Sequence, residues 1–137
     1  MKKKKNIYIT EPDIKRLREL IKVAREYGDG KDEFYFKELE SELNRGKVVK
    51  SNSVPENVIT MNSRILLTDL DDREEMVCNL VFPDEADPDR NKISILAPIG
   101  IALLGYKVGD IIELKVPAGL RRLEVKKILY QPESSKK

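Results

Sequence analysis

The stretch PDEADPDRNKISILAPIGIALLGYKVGD, from Pro83 to Asp110, decides the fold of the second half of the chain. It begins as an acidic loop and continues through a short strand at Ile93 to Leu96. Pro98 then starts a short helix over Ile99 to Leu104, which Gly105 ends, because Pro suits a first helical position and Gly a helix end. A helix this apolar needs a sheet to cover. We therefore expect strands on both sides of it in the sequence.

Alternating apolar and polar residues on either side predict the strands of that sheet. The first lies within Val58 to Thr68, and the others are Glu75 to Phe82, Ile111 to Val116 and a last strand that runs through Leu123 to Tyr130. In the last strand, Leu123 and Val125 share one face, whereas Ile128 and Tyr130 have the opposite parity. A bulge near Lys126-Lys127 would bring both pairs to the same side. The second half is therefore predicted to be an antiparallel sheet packed on one short helix.

The first half has the period of helices instead. Thr10 can cap a helix whose apolar residues recur at steps of three and four until Gly28 and Gly30 stop it. A second helix is predicted from the N-cap Asp32 to Gly46. The apolar stripes are Ile14, Leu17, Ile21, Ala24 and Tyr27 in the first helix, and Phe36, Leu39 and Leu43 in the second. Two short helices joined by a Gly-rich turn form an antiparallel hairpin.

The composition excludes several classes of function. The chain has 137 residues and no His, which removes Ser-His and Cys-His catalysis and every imidazole metal site. Its single cysteine, Cys78, lies in an apolar run and is interpreted as a buried hydrophobic residue. The net charge is +2, and neither half carries the one-signed stripe of a duplex-binding surface. We therefore expect a protein partner and no sequence-specific binding of DNA.

The amino-terminal residues contain a run of four lysines, Lys2 to Lys5. No apolar stretch of signal-peptide length follows this run. We interpret it as a solubilising tail, with contact to nucleic acid or to a membrane as the alternatives. No stretch of the sequence approaches membrane-spanning length, and a lone cysteine fits a reducing compartment, so we expect a cytoplasmic location.

The stretch Pro83 to Asp110, followed by Pro117-Ala118-Gly119, resembles the C-terminal domain of the bacterial GreA/GreB transcription factors. That family shows an acidic E-A-D-P loop, K-I-S, a Pro-led helix ending in A-L-L-G, a G-D strand start and a P-x-G turn, with matching spacing. The segment VITMNSR, Val58 to Arg64, is similar to the Rnk family, the regulators of nucleoside diphosphate kinase. In that family the same domain follows a shortened helical hairpin.

The resemblance implies an FKBP-like fold for the sheet. The fold class that follows is α+β, a short N-terminal antiparallel helical hairpin and then an FKBP-like antiparallel sheet packed on one short helix. Residues 1–49 would hold the tail and the hairpin, residues 50–57 a linker, and residues 58–137 the GreA/GreB C-terminal-like domain. Small polar residues and Pro55 break the periodicity in the linker.

The resemblance also implies that RNA polymerase is the partner. In Gre factors, the region that matches Ala97, Pro98, Ile99 and Gly100 approaches a coiled coil at the rim of the polymerase channel, and Asp87 in the acidic loop is a further candidate contact. Ala97 stands where Gre factors usually have Ser. Structural roles are the alternative, since Pro98 suits a first helical position and Gly100 suits close packing. An FKBP-like fold does not by itself confer prolyl isomerisation, and no catalytic residue is predicted.

The segment IKVAREYGDGKD, Ile21 to Asp32, resembles the tip of the Gre coiled coil, where two acids help to hold a catalytic magnesium in the polymerase. Asp29 matches the first acid, and Asp32 occupies the second as Asp in place of Glu. Carboxylates at this spacing can share a cation, but both are also ordinary turn and N-cap residues. A helix from Glu11 to Tyr27 spans about 25 Å, roughly half the Gre hairpin. We therefore predict no metal site and no cofactor.

Three functions follow from these interpretations. The first is a non-enzymatic regulator that docks near the secondary channel of RNA polymerase and competes with Gre-type factors without reaching the active site. The second is a Gre-like stimulator of transcript cleavage that uses Asp29 and Asp32. The third, which follows from the Rnk family name, is regulation of nucleoside diphosphate kinase and of nucleotide pools, either directly or indirectly.

Overall fold

The computed structural model describes residues 7–117 and 119–135, with helices first and a sheet after them. The helices are α1 (Glu11–Tyr27), α2 (Glu33–Arg45), α3 (Pro98–Leu103) and α4 (Pro132–Ser135). The strands are β1 (Tyr8–Thr10), β2 (Lys47–Val49), β3 (Arg64–Asp69), β4 (Glu75–Val81), β5 (Lys92–Ser94), β6 (Ile111–Val116) and β7 (Gly119–Tyr130). The predicted α+β fold class is confirmed. Within the described residues, no helix is long and apolar enough to cross a membrane.

The helices α1 and α2 form the predicted hairpin. The hydroxyl of Thr10 accepts a hydrogen bond from the backbone N–H of Asp13 at 3.3 Å, which caps α1. Leu17 and Leu39 lie at the centre of the two apolar stripes, and both are fully buried. The prediction was wrong for Tyr27, which is 84% exposed because α1 ends there, outside the hydrophobic core.

A pair of short parallel strands at the base of the hairpin was not predicted. Strand β1 precedes α1, strand β2 follows α2, and Tyr8 pairs with Lys47. In a strand of three residues the alternation of apolar and polar side chains is too short to recognise, so the sequence does not distinguish β1 and β2 from the ends of the adjoining helices. Gly46 lets the chain pass from α2 into β2, because a Cβ there would lie 2.7 Å from the side chain of Ile9.

The second half forms one five-stranded sheet in the order β5-β4-β3-β7-β6. Neighbouring strands are antiparallel, except that β4 and β5 pair in parallel. Strand β3 pairs with β7 through a shift of register, with Leu66 opposite Lys127 and Leu67 opposite Val125. Lys126 is therefore an extra residue in β7, which confirms the predicted bulge.

The prediction was wrong for Tyr130. A second shift of register makes Leu129 an extra residue too, so that Tyr130 lies opposite Arg64 and is 47% exposed.

The hairpin and the sheet contribute to one hydrophobic core. Leu17, Leu43, Ile59 and Leu80 belong to the same cluster of buried residues. Cys78 lies in this cluster too, and burial raises the pKa of its thiol to about 11, as expected of a hydrophobic residue and not of a nucleophile. The division of the chain at residues 50–57 stays a prediction.

A buried carboxylate joins α1 to the loop before β3. Asp13 is 9% exposed, and its Oδ2 accepts a hydrogen bond from the backbone N–H of Met61 at 3.2 Å. Glu133 in α4 accepts a hydrogen bond from the hydroxyl of Thr60 at 2.7 Å and repels the charge of Asp13. Burial raises the pKa of Asp13 to about 6, a rise that Glu133 reinforces and the bond from Met61 opposes.

The substitution Asp13→Asn is expected to stabilise the protein at neutral pH and to change little at pH ~4. A carboxyl whose pKa rises on folding favours the folded state below its unfolded pKa of 3.8, and that contribution is lost as the pH rises through about 6. The side-chain oxygen of Asn can still accept the hydrogen bond from the backbone N–H of Met61, but the Asn side chain carries no charge. We expect a gain of about 2 kcal/mol at pH ~7.5 in the free energy of unfolding by denaturant.

The control is Asp84→Asn, because Asp84 is exposed in a turn. It should leave the unfolding free energy unchanged at both pH values. If the Asp13→Asn variant and the original protein had the same free energy of unfolding at both pH values, the buried charge of Asp13 would not destabilise the fold.

Candidate functional site

The residues predicted to dock on a partner lie at one edge of the sheet, which is formed by the edge strand β5. The chain turns immediately after β5 at Ser94. The Oγ of Ser94 accepts a hydrogen bond from the N–H of Leu96, and its carbonyl accepts one from the N–H of Ala97, both at 3.0 Å. Ala97 is the N-cap of α3, and Pro98 is the first residue of the helix, as the structural interpretation of Pro98 predicted. We call this strand, with the loops at its two ends, the β5 edge.

The residues of the turn differ in what they offer to a partner. Pro98 is exposed, Ala97 and Ile99 are half-buried, and Gly100 is buried. A Cβ on Gly100 would collide with the carbonyl oxygen of Ser94. Helix α3 can therefore approach β5 only because residue 100 has no side chain. Gly100 positions the turn, and the accessible groups belong to the three residues before it.

Asp87 lies at the other end of β5. Its backbone N–H donates a hydrogen bond to the C=O of Lys92, and its C=O accepts one from the N–H of Lys92, each at 3.0 Å. These two bonds close the acidic loop onto the strand. Its carboxylate lies 3.6 Å from Nε of Arg90 and is 42% exposed. Because β5 has three residues and a strand rises about 3.3 Å per residue, the acidic loop and the turn at Ala97 flank the same short edge. Asp87 and the turn residues therefore lie at the two ends of this strand.

The two tip acids lie at the other end of the hairpin, away from the sheet. Asp29 accepts a hydrogen bond from the backbone N–H of Lys31 at 3.0 Å, and the ammonium of Lys31 lies 3.6 Å from its other oxygen. Asp32 is exposed at the N-cap of α2 but makes no capping hydrogen bond through its side chain. Across residues 7–117 and 119–135, no group of three or more acidic or cysteine side chains is placed to hold a metal ion.

Arg25 clamps the two helices together near the tip, and sequence reasoning missed it. Its guanidinium donates to both oxygens of Glu33, at 3.0 and 2.7 Å, and to both oxygens of Glu40, each at 2.8 Å. These bonds lower the pKa of Glu40. The acids lie 8 and 15 residues along the chain from Arg25, so the three- and four-residue spacing within one helix gives no signal for them.

The tip also presents aromatic side chains to solvent. Tyr27 is 84% exposed and Phe34 is 66% exposed. Phe34 contacts Tyr35 edge to face, with 5.5 Å between the ring centroids. Exposed aromatic groups on a clamped element are typical of contact surfaces. The tip is therefore better suited to packing against a partner than to holding a cation.

Two family models match the chain, on either side of residue 50. The Rnk N-terminus matches residues 5–49, and the model "Transcription elongation factor, GreA/GreB, C-term" matches residues 54–130. The chain belongs to the Rnk family. The hairpin tip of this Rnk-family protein lies within the first match, and the β5 edge lies within the second.

Individual relatives agree with this membership. The regulator of nucleoside diphosphate kinase of Escherichia coli K12 is 40% identical over 98 residues, which are 71% of this chain and 72% of that protein. The transcription elongation factor GreA of Clostridium botulinum Langeland is 36% identical over 132 residues, covering 86% and 82%. A solved GreA/GreB elongation factor from Nitrosomonas europaea is 37% identical with a TM-score of 0.76, covering 93% and 100%. This Rnk-family protein is a GreA/GreB-like regulator.

Gly100→Ala is expected to destabilise the protein by about 1–3 kcal/mol, because the added methyl group meets the backbone of Ser94 and not a flexible side chain. Unfolding by denaturant measures the loss. Ala97→Ser is the control, since Ser is a better N-cap than Ala and should leave stability equal or higher. A Gly100→Ala variant as stable as the original protein would contradict the close approach of α3 to β5.

Proposed function

We propose that this protein docks through its β5 edge on RNA polymerase near the secondary channel and competes there with Gre-type factors. The observation that carries the proposal is that Asp87 and the turn at Pro98 occupy one edge of a domain that matches GreA/GreB. A relative that matches 86% of the chain is named a transcription elongation factor. A regulator that shares their docking domain would meet the same partner.

The construction of the β5 edge suits a docking role. Pro98 has a fixed φ, and the hydrogen bonds to Ser94 hold the turn that presents it. A group that is already ordered loses little conformational entropy when it binds. The exposed part of Asp87 adds a negative charge beside this apolar contact, where it would favour a partner with positive charge.

The length of the arm supports a regulator that does not enter the active site. Helix α1 has 17 residues, which gives about 25 Å at roughly 1.5 Å per residue. One of the two tip acids is already bonded to Lys31, and the tip exposes Tyr27 and Phe34. We infer that the arm packs against the channel mouth and blocks longer factors, and that it does not deliver magnesium.

Replacing Pro98→Ala and Asp87→Ala together is expected to weaken binding to core RNA polymerase at least about tenfold, because the exposed ring of Pro98 and the charge of Asp87 are both lost. A pull-down with core polymerase and displacement of a labelled GreA measure the effect. Ile111→Ala is the matched control, since Ile111 is 50% exposed on β6, at the opposite edge of the sheet.

No retention of the original protein by polymerase, together with no displacement of GreA, would end this proposal. A different result would favour the second function. If the protein stimulated cleavage of backtracked transcripts, and Asp29→Ala or Asp32→Ala abolished the stimulation, the tip acids would act in the polymerase active centre.

The name of the Escherichia coli relative favours one further function, regulation of nucleoside diphosphate kinase. We propose that any such effect runs through transcription, because the sheet domain matches the C-terminal domain of the GreA/GreB transcription elongation factors. Titrating a purified nucleoside diphosphate kinase with this protein should therefore leave the kinase activity unchanged. A saturable change in activity would show direct contact.

A further inference from the structure

Strand β6 forms the second edge of the sheet, and its outer side is open. It has six residues, Ile111–Val116, and its neighbour in the sheet is β7. Across residues 7–117 and 119–135, the backbone of these six residues makes no hydrogen bond to any element other than β7. The opposite edge differs, because the backbone of Asp87 bonds to that of Lys92 and so covers β5. We call the outer side of β6 the β6 edge.

The backbone groups of alternate residues in β6 point away from the sheet. The N–H of Val125 donates a hydrogen bond to the C=O of Asp110 at 2.9 Å, so Val125 in β7 faces β6. Because the direction of hydrogen bonding alternates along a strand, Leu123 faces β6 as well, and its partner Ile112 faces β7. The residues at odd positions of β6 therefore turn their N–H and C=O groups outward. They are Ile111, Glu113 and Lys115.

The outward residues include one acid and one base, and both side chains are exposed. Glu113 lies opposite Arg122 of β7, but that guanidinium is 3.5 Å from Asp71 instead. In the part of the chain that the structure describes, neither Glu113 nor Lys115 has an oppositely charged group within 4.0 Å. An edge with charges of one sign repels a copy of itself, whereas an edge with one acid and one base can be complementary to a copy of itself.

This charge pattern selects one register for two antiparallel copies of β6. Only residues with outward backbone groups can form the hydrogen-bonded pairs, so odd positions must face odd positions. A two-fold axis at Leu114 places Glu113 opposite Lys115 of the second copy, and Lys115 opposite Glu113. Moving the axis to residue 113 or to residue 115 would place an acid against the same acid, or a base against the same base. Like charges directly opposite each other destabilise a strand pair.

We propose that two copies of this chain pair through their β6 edges, antiparallel, about a two-fold axis at Leu114. Glu113 and Lys115 then exchange backbone hydrogen bonds with each other across the interface, and their side chains form ion pairs on the exposed face. The C=O of Pro117 provides an acceptor for the N–H of Ile111 at each end. The two Leu114 side chains, which are partly buried against the core, meet at the axis.

The size of this interface indicates weak association that stops at the dimer. A strand of six residues is about 20 Å long at roughly 3.3 Å per residue. One strand pair is therefore a smaller contact than the roughly 1,200–2,000 Å² of a stable complex, and we expect a dissociation constant of about 10–100 µM. Pairing uses the open edge of both copies, so no open edge remains for a third.

The pairing is independent of the docking proposal. Strands β5 and β6 lie at opposite ends of the sheet order, so the β5 edge stays accessible in both copies. The dimer can be tested without polymerase, and its failure would leave the docking proposal untouched.

The test is sedimentation equilibrium of the full chain from about 5 to 500 µM at low salt, a range that spans the expected dissociation constant. Lys115→Glu and Glu113→Lys each place like charges opposite each other at both ends of the axis. Each should raise the dissociation constant at least about tenfold. Lys127→Glu is the matched control, because Lys127 is an exposed lysine of the central strand β7, and it should leave the dissociation constant unchanged.

Mixing the two variants separates pairing from damage to the fold. In an equimolar mixture of Glu113→Lys and Lys115→Glu, each pair across the axis again joins an acid to a base. The mixture should therefore associate at least as tightly as the original protein, although each variant alone does not. The double variant with both substitutions should also associate, because it exchanges the two charges and keeps the same register.

Four results would overturn the proposal. The original protein sediments as a monomer up to about 500 µM, a concentration above the expected dissociation constant. Alternatively, Lys115→Glu associates like Lys127→Glu, or the mixture of variants stays monomeric, or the original protein forms assemblies larger than a dimer. The first result would leave the β6 edge open for a strand of a different protein.

Discussion

The hairpin has no stable position of its own, because its apolar stripes need the sheet to complete their burial. Leu17 and Leu43 share a core with Ile59 and Leu80, and each such side chain contributes about 1.5–3 kcal/mol when it leaves water. That gain exceeds the penalty of placing the charge of Asp13 at the same junction. Packing therefore sets the direction in which the arm leaves the sheet. The tip and the β5 edge both take their relative positions from this one contact.

Helix α3 makes a close contact at each of its two ends. Its first turn lies against β5 because Gly100 has no side chain, and the chain just after it meets Ile7 at Gly105, where φ is 83°. Glycine is needed at both contacts because backbone and side chain approach too closely for a Cβ. A helix of six residues thus links the sheet edge proposed for polymerase with the base of the hairpin at Ile7.

Much of this fold could be predicted from periodicity alone. The bounds of α1 and β6 and the bulge at Lys126 follow from apolar spacing, because each of these elements has one buried face. The ribbon of β1 and β2 could not be predicted, since three residues hold no period. The exposure of Tyr27 was missed because spacing shows which face of the helix a residue occupies, but not where along the helix the residues that pack on that face end. Arg25 was missed for a related reason, since its partners lie across the turn.

The candidate site was predictable in its location and less so in its roles. Motif resemblance identified the turn at Pro98, but only the coordinates show that Gly100 must lack a side chain for α3 to approach β5, and that Asp87 lies at the far end of the same strand. The ribbon of β1 and β2 has a consequence for how such proteins diversify. Strands β1 and β2 pair with each other on either side of the hairpin. Whole turns can therefore be added to α1 and α2 without changing this pairing. The length of the hairpin can then vary in evolution while the sheet keeps its shape.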